Sequence, residues 1–280
     1  MSAYKLNEVD LSVYGIIAGH SQGSNIAVAG CFDLPARTGK CFHAWEETDA
    51  VEPYVDSDEL FFAGRDLIFE GMILGTIQQA STLLSSLYTA IALFDDYVPF
   101  ETPYGNWNVT VTSITPEYHN GVTSVTIKFR EPWVYLAFIN GVDFNLPSQG
   151  SSPYLIDSIP MSSLGLYVTR PIGHMDLPDM KECDLTMYGK EAFKLTTRTS
   201  KTLTIDGFVV GSSLDEFMTR IKYLLYLFSK SGTRTIKLND QFSVVCFATK
   251  GFRVGEVQVF GTGVIANFRI ELMVTSVTIL

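Results

Sequence analysis

The chain has 280 residues but only four cysteines, no basic tract and no apolar run near the ~20 residues of a membrane-spanning helix. No CxxC pair occurs, and the spacing of Cys31, Cys41 and His43 fits no common zinc pattern. So few thiols, and a polar N-terminus without a signal peptide, predict a reducing compartment. A glycine-rich phosphate-binding loop is also missing. We therefore expect no metal, no cofactor and no membrane partner.

Thirty acidic residues against twenty basic ones give the chain a net charge of −10. Such a surface repels free nucleic acid and anionic membranes, which argues against a stable complex with either. The composition is 46% hydrophobic and rich in Phe and Tyr, which is typical of a strand-rich protein. The length allows one large domain or two of ordinary size, each with a real core.

An internal repeat is the most informative feature of the sequence. Residues 67–75 read LIFEGMILG and residues 203–211 read LTIDGFVVG. Both fit one pattern of a leucine, an acidic residue, a glycine, three apolar residues and a second glycine. The positions that form this repeat signature are Leu67 with Leu203, Gly71 with Gly207, and Gly75 with Gly211.

Shorter matches flank this pair in the same order, and five matches in one order favour a duplication over chance. Two copies of one unit are therefore predicted. The flanking matches are FDLP (32–35) with MDLP (175–178), LSVYG (11–15) with LGLYV (164–168), Trp107 with Phe242, Phe129 with Phe268, and Arg130 with Arg269.

The repeat divides the chain into a first domain over 1–140, a linker over 141–160 and a second domain over 161–280. The linker is rich in Gly, Pro and Ser. The first copy is longer ahead of its double-glycine segment, and we interpret its acidic, aromatic residues at about 43–60 as an inserted loop.

Each unit reads as strands, one helix and further strands, which predicts a mainly β (α+β) fold. Apolar residues at helical spacing predict a helix over 77–94 and another over 214–229, the latter capped from the Gly211–Ser213 turn. Period-two alternation predicts strands over 105–114 and 125–131. A hairpin turn is predicted at Asn239–Asp240.

The stretch GHSQG (19–23) matches the nucleophile elbow of serine hydrolases, with Ser21 as the nucleophile and His20 beside it. That elbow requires a central parallel strand and alternating strands and helices, neither of which is predicted here. The second copy has Gly173–His174 without a serine. We therefore interpret GHSQG as a glycine turn and keep a hydrolase using Ser21 as an alternative. The histidines that could serve it are His43, His119 and His174.

Three weaker motifs are explained better by structure than by function. Asn108-Val-Thr matches a glycosylation acceptor but lies in a predicted strand. An acidic cluster lacks the spacing and the turn glycine of a calcium loop. Trp45 and Tyr54 leave open a carbohydrate-binding sandwich, although loop aromatics are usually packing anchors. The cluster consists of Asp49, Glu52, Asp56, Asp58 and Glu59.

The stretch from ELFFAGRDLIFEGMILG through the first helix to VTIKFREP resembles the distal tail and tail-tube family of tailed phages. Its GRD strand, its "yG-y-x-V-x-V" strand and its closing strand match that family's pattern. The second copy lacks the GRD and the closing proline. The matching positions are Gly64, Arg65, Asp66, Gly71, Gly105, Val109, Val111, Phe129 and Pro132.

This resemblance implies tandem β-sandwich or barrel domains with a flanking helix, and a non-enzymatic structural role in the virion tail. Such proteins form rings around a channel that DNA crosses transiently, and they link the tail tube to tip proteins after assembly in the host cytoplasm. The resemblance fits either three chains in a pseudo-sixfold ring or six chains in two layers, and the divergence of the copies favours stacked or unequal roles. A tube component of a contractile injection system is the other alternative.

Overall fold

The computed structural model describes the chain except residues 1–3, 22, 46–47, 135, 137–143, 181–184, 188–189, 194–197, 239–241 and 280. Its first half runs through β1 (Lys5–Leu6), β2 (Val9–Asp10), a 3₁₀ turn (Leu11–Tyr14), β3 (Ile17–Ala18), β4 (Val28–Ala29), β5 (Phe42–Ala44), β6 (Val51–Pro53), β7 (Arg65–Leu74), α1 (Ile77–Ile91), β8 (Val98–Thr102), β9 (Gly105–His119) and β10 (Val122–Glu131).

The second half runs through β11 (Tyr154–Ile156), β12 (Ile159–Pro160), a 3₁₀ turn (Met161–Leu164), β13 (Leu166–Ile172), β14 (Leu185–Met187), β15 (Lys190–Phe193), β16 (Thr202–Gly211), α2 (Leu214–Ser229), β17 (Arg234–Leu238), β18 (Phe242–Phe260) and β19 (Gly263–Ile279).

Two large antiparallel sheets have the same strand order. The first is β2-β1-β8-β9-β10-β7-β3, with β4 also paired to β7, and the second is β12-β11-β17-β18-β19-β16-β13. Each strand of the second path takes the place of one strand of the first, and each helix follows the equivalent strand. The chain is therefore mainly β, and each large sheet has one associated helix. The described pairings leave both sheets open.

Matching turns begin both sheets. Asn7–Glu8 joins β1 to β2 and Asp157–Ser158 joins β11 to β12, with positive φ at both central residues of each turn. This is the type I′ geometry that suits the twist of a two-residue hairpin. Each hairpin leads into a 3₁₀ turn that ends on a left-handed glycine, Gly15 or Gly165. These landmarks fix which residues of the two sheets correspond.

The register corrects part of the predicted alignment. Leu67 on β7 pairs with Phe129, and its counterpart Leu203 on β16 pairs with Leu272. Phe129 thus corresponds to Leu272, so its predicted match with Phe268 is wrong, as is that of the arginines that follow. Apolar residues recur along β-strands, which makes such slips easy. The other displaced matches are Trp107, which corresponds to Val244 instead of Phe242, and residues 11–15, which correspond to 161–165 instead of 164–168.

Close approach of a neighbouring strand explains one glycine pair of the repeat signature. A Cβ on Gly71 would lie 3.0 Å from the carbonyl oxygen of Ile17 on β3. A Cβ on Gly207 would lie 2.5 Å from the carbonyl oxygen of Tyr167 on β13. The distance at Gly207 is shorter than real Cβ atoms approach backbone, and the distance at Gly71 is tighter than nine in ten real Cβ contacts, so each glycine makes room for an edge strand. Gly211 likewise lies against the first turn of α2.

Both helices begin with side-chain caps. Thr76 and Gln79 form a reciprocal capping box at α1, and the Ser213 hydroxyl accepts the Glu216 N–H at α2. The helix predicted over 214–229 is confirmed at both ends, whereas α1 ends at Ile91 instead of Phe94. Each helix buries an apolar stripe on its sheet: Ala80, Leu84 and Leu87 on α1, and Phe217, Ile221 and Leu224 on α2.

Pairs of phenylalanine side chains pack in the core of both large sheets. Phe100 and Phe129 stack with ring centroids 4.4 Å apart in the first sheet. In the second, Phe252 and Phe268 lie 5.1 Å apart. All four are almost completely buried, and the two halves contribute to one continuous cluster of buried residues.

Two predicted irregular segments contain regular structure. The insertion predicted over 43–60 includes most of a β5–β6 hairpin, and the predicted linker over 141–160 contains β11 and β12. These strands are only two or three residues long, too short for period-two alternation to reveal them. β17 and β18 form the predicted hairpin, whose turn at Asn239–Asp240 lies outside the described residues.

Gly207→Ala should lower the free energy of unfolding by about 1–3 kcal/mol, because its new methyl group meets the carbonyl of Tyr167. Gly255→Ala is the control, because a Cβ there meets nothing within 4 Å. Its effect should stay within about 0.5 kcal/mol. Urea unfolding of both variants makes the comparison. Equal stability of the two variants would contradict the close-approach explanation.

Candidate assembly interface

β18 is much longer than the strand beside it. Its outer neighbour β17 pairs only with Phe242–Cys246, although β18 continues to Phe260. The backbone groups beyond Cys246 would form an open sheet edge, which is a template for uncontrolled pairing. A segment of the first half, residues 23–37, lies along this edge and completes it.

Backbone hydrogen bonds join this segment to β18. The Leu34 N–H donates to the Phe252 carbonyl oxygen (3.0 Å), and the Phe252 N–H donates back to Leu34 (3.2 Å). Two further N–H groups of the segment donate to carbonyls of the second half: Arg37 to Thr249 (2.8 Å) and Asn25 to Val257 (2.9 Å). The segment therefore behaves as an added, irregular strand.

Polar side chains accept hydrogen bonds from further N–H groups of the edge. Asp33 Oδ1 accepts the Val254 N–H at 2.7 Å. The Asn25 amide accepts the N–H of Val259 at 2.7 Å and donates to its carbonyl at 2.8 Å. Burial raises the pKa of Asp33, although the Val254 N–H and the charge of Arg65 both favour the carboxylate. Short side chains thus replace strand hydrogen bonds where the segment curves away.

Apolar contacts bury the same segment. Phe32 is 4% exposed and packs edge-on against Phe217 of α2, with ring centroids 5.3 Å apart. Leu34 is 2% exposed. Gly251 allows the approach, because a Cβ there would lie 2.0 Å from the Leu34 carbonyl oxygen.

Arg65, the central residue of the GRD triplet Gly64–Asp66, binds the backbone of this segment. Arg65 is buried, and its Nε donates to Glu131 Oε2 at 2.7 Å. Its Nη1 donates to the carbonyls of Cys31 (2.9 Å) and Asp33 (3.0 Å). One buried ion pair therefore ties β7 and β10 to the residues that bind β18. Asp66, by contrast, forms an exposed ion pair with Arg130.

Ser21 does not lie in the geometry of a nucleophile elbow. β3 is a two-residue antiparallel strand at a sheet edge, not a central parallel strand. Ser21 is 3% exposed, and its hydroxyl has no hydrogen-bond partner in the described part of the chain. The candidate histidines have other neighbours: His43 contacts Trp45, His119 pairs with Glu117 and His174 contacts Phe242. Within the described residues, none of these three histidines hydrogen-bonds to the Ser21 hydroxyl.

The described residues contain no group of three or more His, Cys, Asp or Glu side chains that could hold a metal ion. Burial raises the pKa of the Cys31 thiol to about 12, which leaves it protonated near neutral pH. Trp45 and Tyr54 have local neighbours, the His43 ring and the Lys40 ammonium. No described helix is both long and apolar enough to span a membrane.

No protein-family model and no curated protein matches this chain. Among solved structures it is similar to the SPP1 Dit (gp 19.1) protein, described as a paradigm of the hub adsorption apparatus in phages that infect Gram-positive bacteria. The two chains are 10% identical over 99% of each, with a TM-score of 0.37. A TM-score of this size does not establish a shared fold.

Sequence reasoning identified the repeated DLP triplet and the GRD triplet but not their task. Each is short, and neither identifies the strand that receives it. The missing signal was the length of β18, which has 19 residues, whereas its hairpin partner β17 has five. A long strand beside a short one implies an edge that something else must cover.

Arg65→Met should lower the free energy of unfolding by about 3–5 kcal/mol, because it leaves Glu131 buried without its cation. Arg130→Met removes the exposed ion pair with Asp66 and is the matched control, with an expected loss below about 1 kcal/mol. Urea unfolding measures both. A small loss for Arg65→Met would mean that the buried pair does not hold the interface.

Proposed function

We propose that this chain is a structural protein of a phage tail, which forms a ring at the distal tail or hub and links the tail tube to tip proteins. The observation that carries the proposal is the completion of the β18 edge by residues 23–37. This contact joins the β7 side of one sheet to the β18 side of the next. A contact between unlike faces repeats head to tail, and such repetition closes into a ring when the rotation permits.

Two tandem units with one ancestral topology are part of this proposal. The equal strand orders, the paired type I′ turns and the glycines at 71 and 207 support a duplication. The boundaries at 1–140 and 161–280 remain predictions. The resemblance of the GRD strand and of the strands after α1 to the tail-tube family supplies the tail assignment.

The contact between the units favours the three-chain ring. Divergence between the copies favours stacked layers, but edge completion supports an arrangement in which the second unit lies beside the first in the direction of the sheet. Three chains then supply six units around one channel. The net charge of −10 suits that channel, because an acidic wall does not hold the DNA backbone.

The proposed partners are further copies of this chain and neighbouring tail proteins, and DNA passes through the channel transiently. The proposed location is the virion tail, after assembly in the host cytoplasm.

The mass of the assembled particle tests this function. Native mass spectrometry should give about 93 kDa, three chains of 31.1 kDa each. Electron microscopy of the same sample should show a ring with six lobes and an open centre. A particle of about 187 kDa with two layers would favour the stacked arrangement instead. A monomer at every concentration, or a closed particle without a channel, would contradict the ring.

A further inference from the structure

Residues 30–37, the part of the 23–37 segment that contacts β18 around Phe252, are called the docking segment below. The second half contains a copy of this docking segment. Residues 30–37 read GCFDLPAR and residues 173–180 read GHMDLPDM. Each begins with a left-handed glycine whose carbonyl accepts the N–H of the aspartate three residues later, at 3.3 Å in both. Each is then held by a 2.8 Å backbone bond, from Ala63 N–H to Ala36 in one and from Thr199 N–H to Asp179 in the other. The two segments therefore have the same local structure.

Their surroundings differ. Phe32 and Leu34 are buried against β18 and α2, at 4% and 2% exposure. Their counterparts Met175 and Leu177 are both 72% exposed. Two large apolar side chains, separated by one residue in the motif, are thus left in solvent. The motif in the first half binds a sheet edge, whereas in the part of the chain that the structure describes no sheet edge pairs with residues 173–180.

The first sheet has the complementary gap. β8 pairs with β9 only over Gly105–Val109, and no described strand pairs with the outer edge of β9 over 110–119. With Leu67 aligned to Leu203, Ile127 on β10 corresponds to Ile270 on β19. Ile127 pairs with Ile114 on β9 and Ile270 pairs with Phe252 on β18, so Ile114 corresponds to Phe252. Phe252 is the residue that exchanges hydrogen bonds with Leu34. Its counterpart therefore presents an unfilled pairing site.

An apolar groove runs beside this free edge. It has a volume of about 460 Å³ and lies between α1 and the end of β9. Ala80 is the fourth residue of α1, where α2 has Phe217. The smaller side chain leaves open the space that Phe217 and Phe32 fill in the second sheet. Thr123 lines the groove, and its buried hydroxyl has no hydrogen-bond partner in the described structure. Pro116 and Tyr118 at the end of β9 line the other side of the groove.

We propose that residues 173–180 of one chain add to the outer edge of β9 in a second copy, with Met175 and Leu177 entering the α1–β9 groove. Leu177 then exchanges backbone hydrogen bonds with Ile114, as Leu34 does with Phe252. This inference rests on the proposed ring, for which it names the contact between chains. Pro116 stands where β18 has Val254 and has no N–H, so Asp176 gains no counterpart of the Asp33 bond.

A cysteine pair tests the register of this contact. Residues that exchange both hydrogen bonds in an antiparallel pair have Cα atoms about 5.5 Å apart, within disulfide range. Leu177→Cys with Ile114→Cys, in a background carrying Cys41→Ser and Cys183→Ser, should form disulfide-linked dimers and larger species under mild oxidation. Leu177→Cys with Thr115→Cys is the control, because Thr115 points to the opposite face of β9. Equal cross-linking of both pairs, or none in an oligomeric sample, would overturn the proposal.

Surface substitutions provide a second, independent test. Met175→Ser with Leu177→Ser should raise the dissociation constant between chains at least tenfold in sedimentation equilibrium, without changing the unfolding midpoint. Val13→Ser removes an exposed apolar side chain elsewhere and should leave association unchanged. Asp176→Ala should also leave association unchanged, whereas Asp33→Ala should lower the stability of the monomer. If rings persist with both serines, this contact is wrong while the ring stands. A wild-type chain that does not associate at any concentration contradicts both the contact and the ring.

Discussion

An unfinished sheet edge is the constraint on which the rest of this structure depends. β9 and β18 both extend far beyond the short strands β8 and β17 that begin their hairpins. An exposed run of unpaired N–H and C=O groups is a liability that a protein must cover, bend or pair. At β18 the chain pairs this edge with its own residues 23–37, and this pairing links the first sheet to the second.

The support for that solution comes from further away in the sequence. Arg65 donates at once to Glu131 and to two carbonyls of the docking segment, so a buried charge fixes an otherwise irregular stretch. Gly251 removes the side chain that would block the approach. In the second half Lys201 takes the place of Arg65 and donates to the His174 carbonyl at 2.6 Å. A basic side chain thus holds the docking segment in both halves, but only the segment of the first half is paired with a strand edge in the described structure.

Much of the fold follows from the sequence, because the double-glycine strand, the amphipathic helices and the long alternating strands have strong local patterns. The register did not follow, since Phe129 and Phe268 are interchangeable by pattern and only the hydrogen-bond ladder separates them. Two-residue strands such as β1 and β12 carry no period at all. The interface was hidden for another reason: Asp33 and Val254 are 221 residues apart in sequence, and no local pattern pairs them.

Amide hydrogen exchange at two equivalent positions tests the central claim most directly, because it reports whether each edge is paired. In the dissociated chain, the Phe252 amide should be protected by Leu34, while the Ile114 amide on the free edge of β9 should exchange rapidly. In the assembled particle both amides should be protected. If Ile114 exchanges equally fast in both states while the particle remains intact, edge completion does not join the chains.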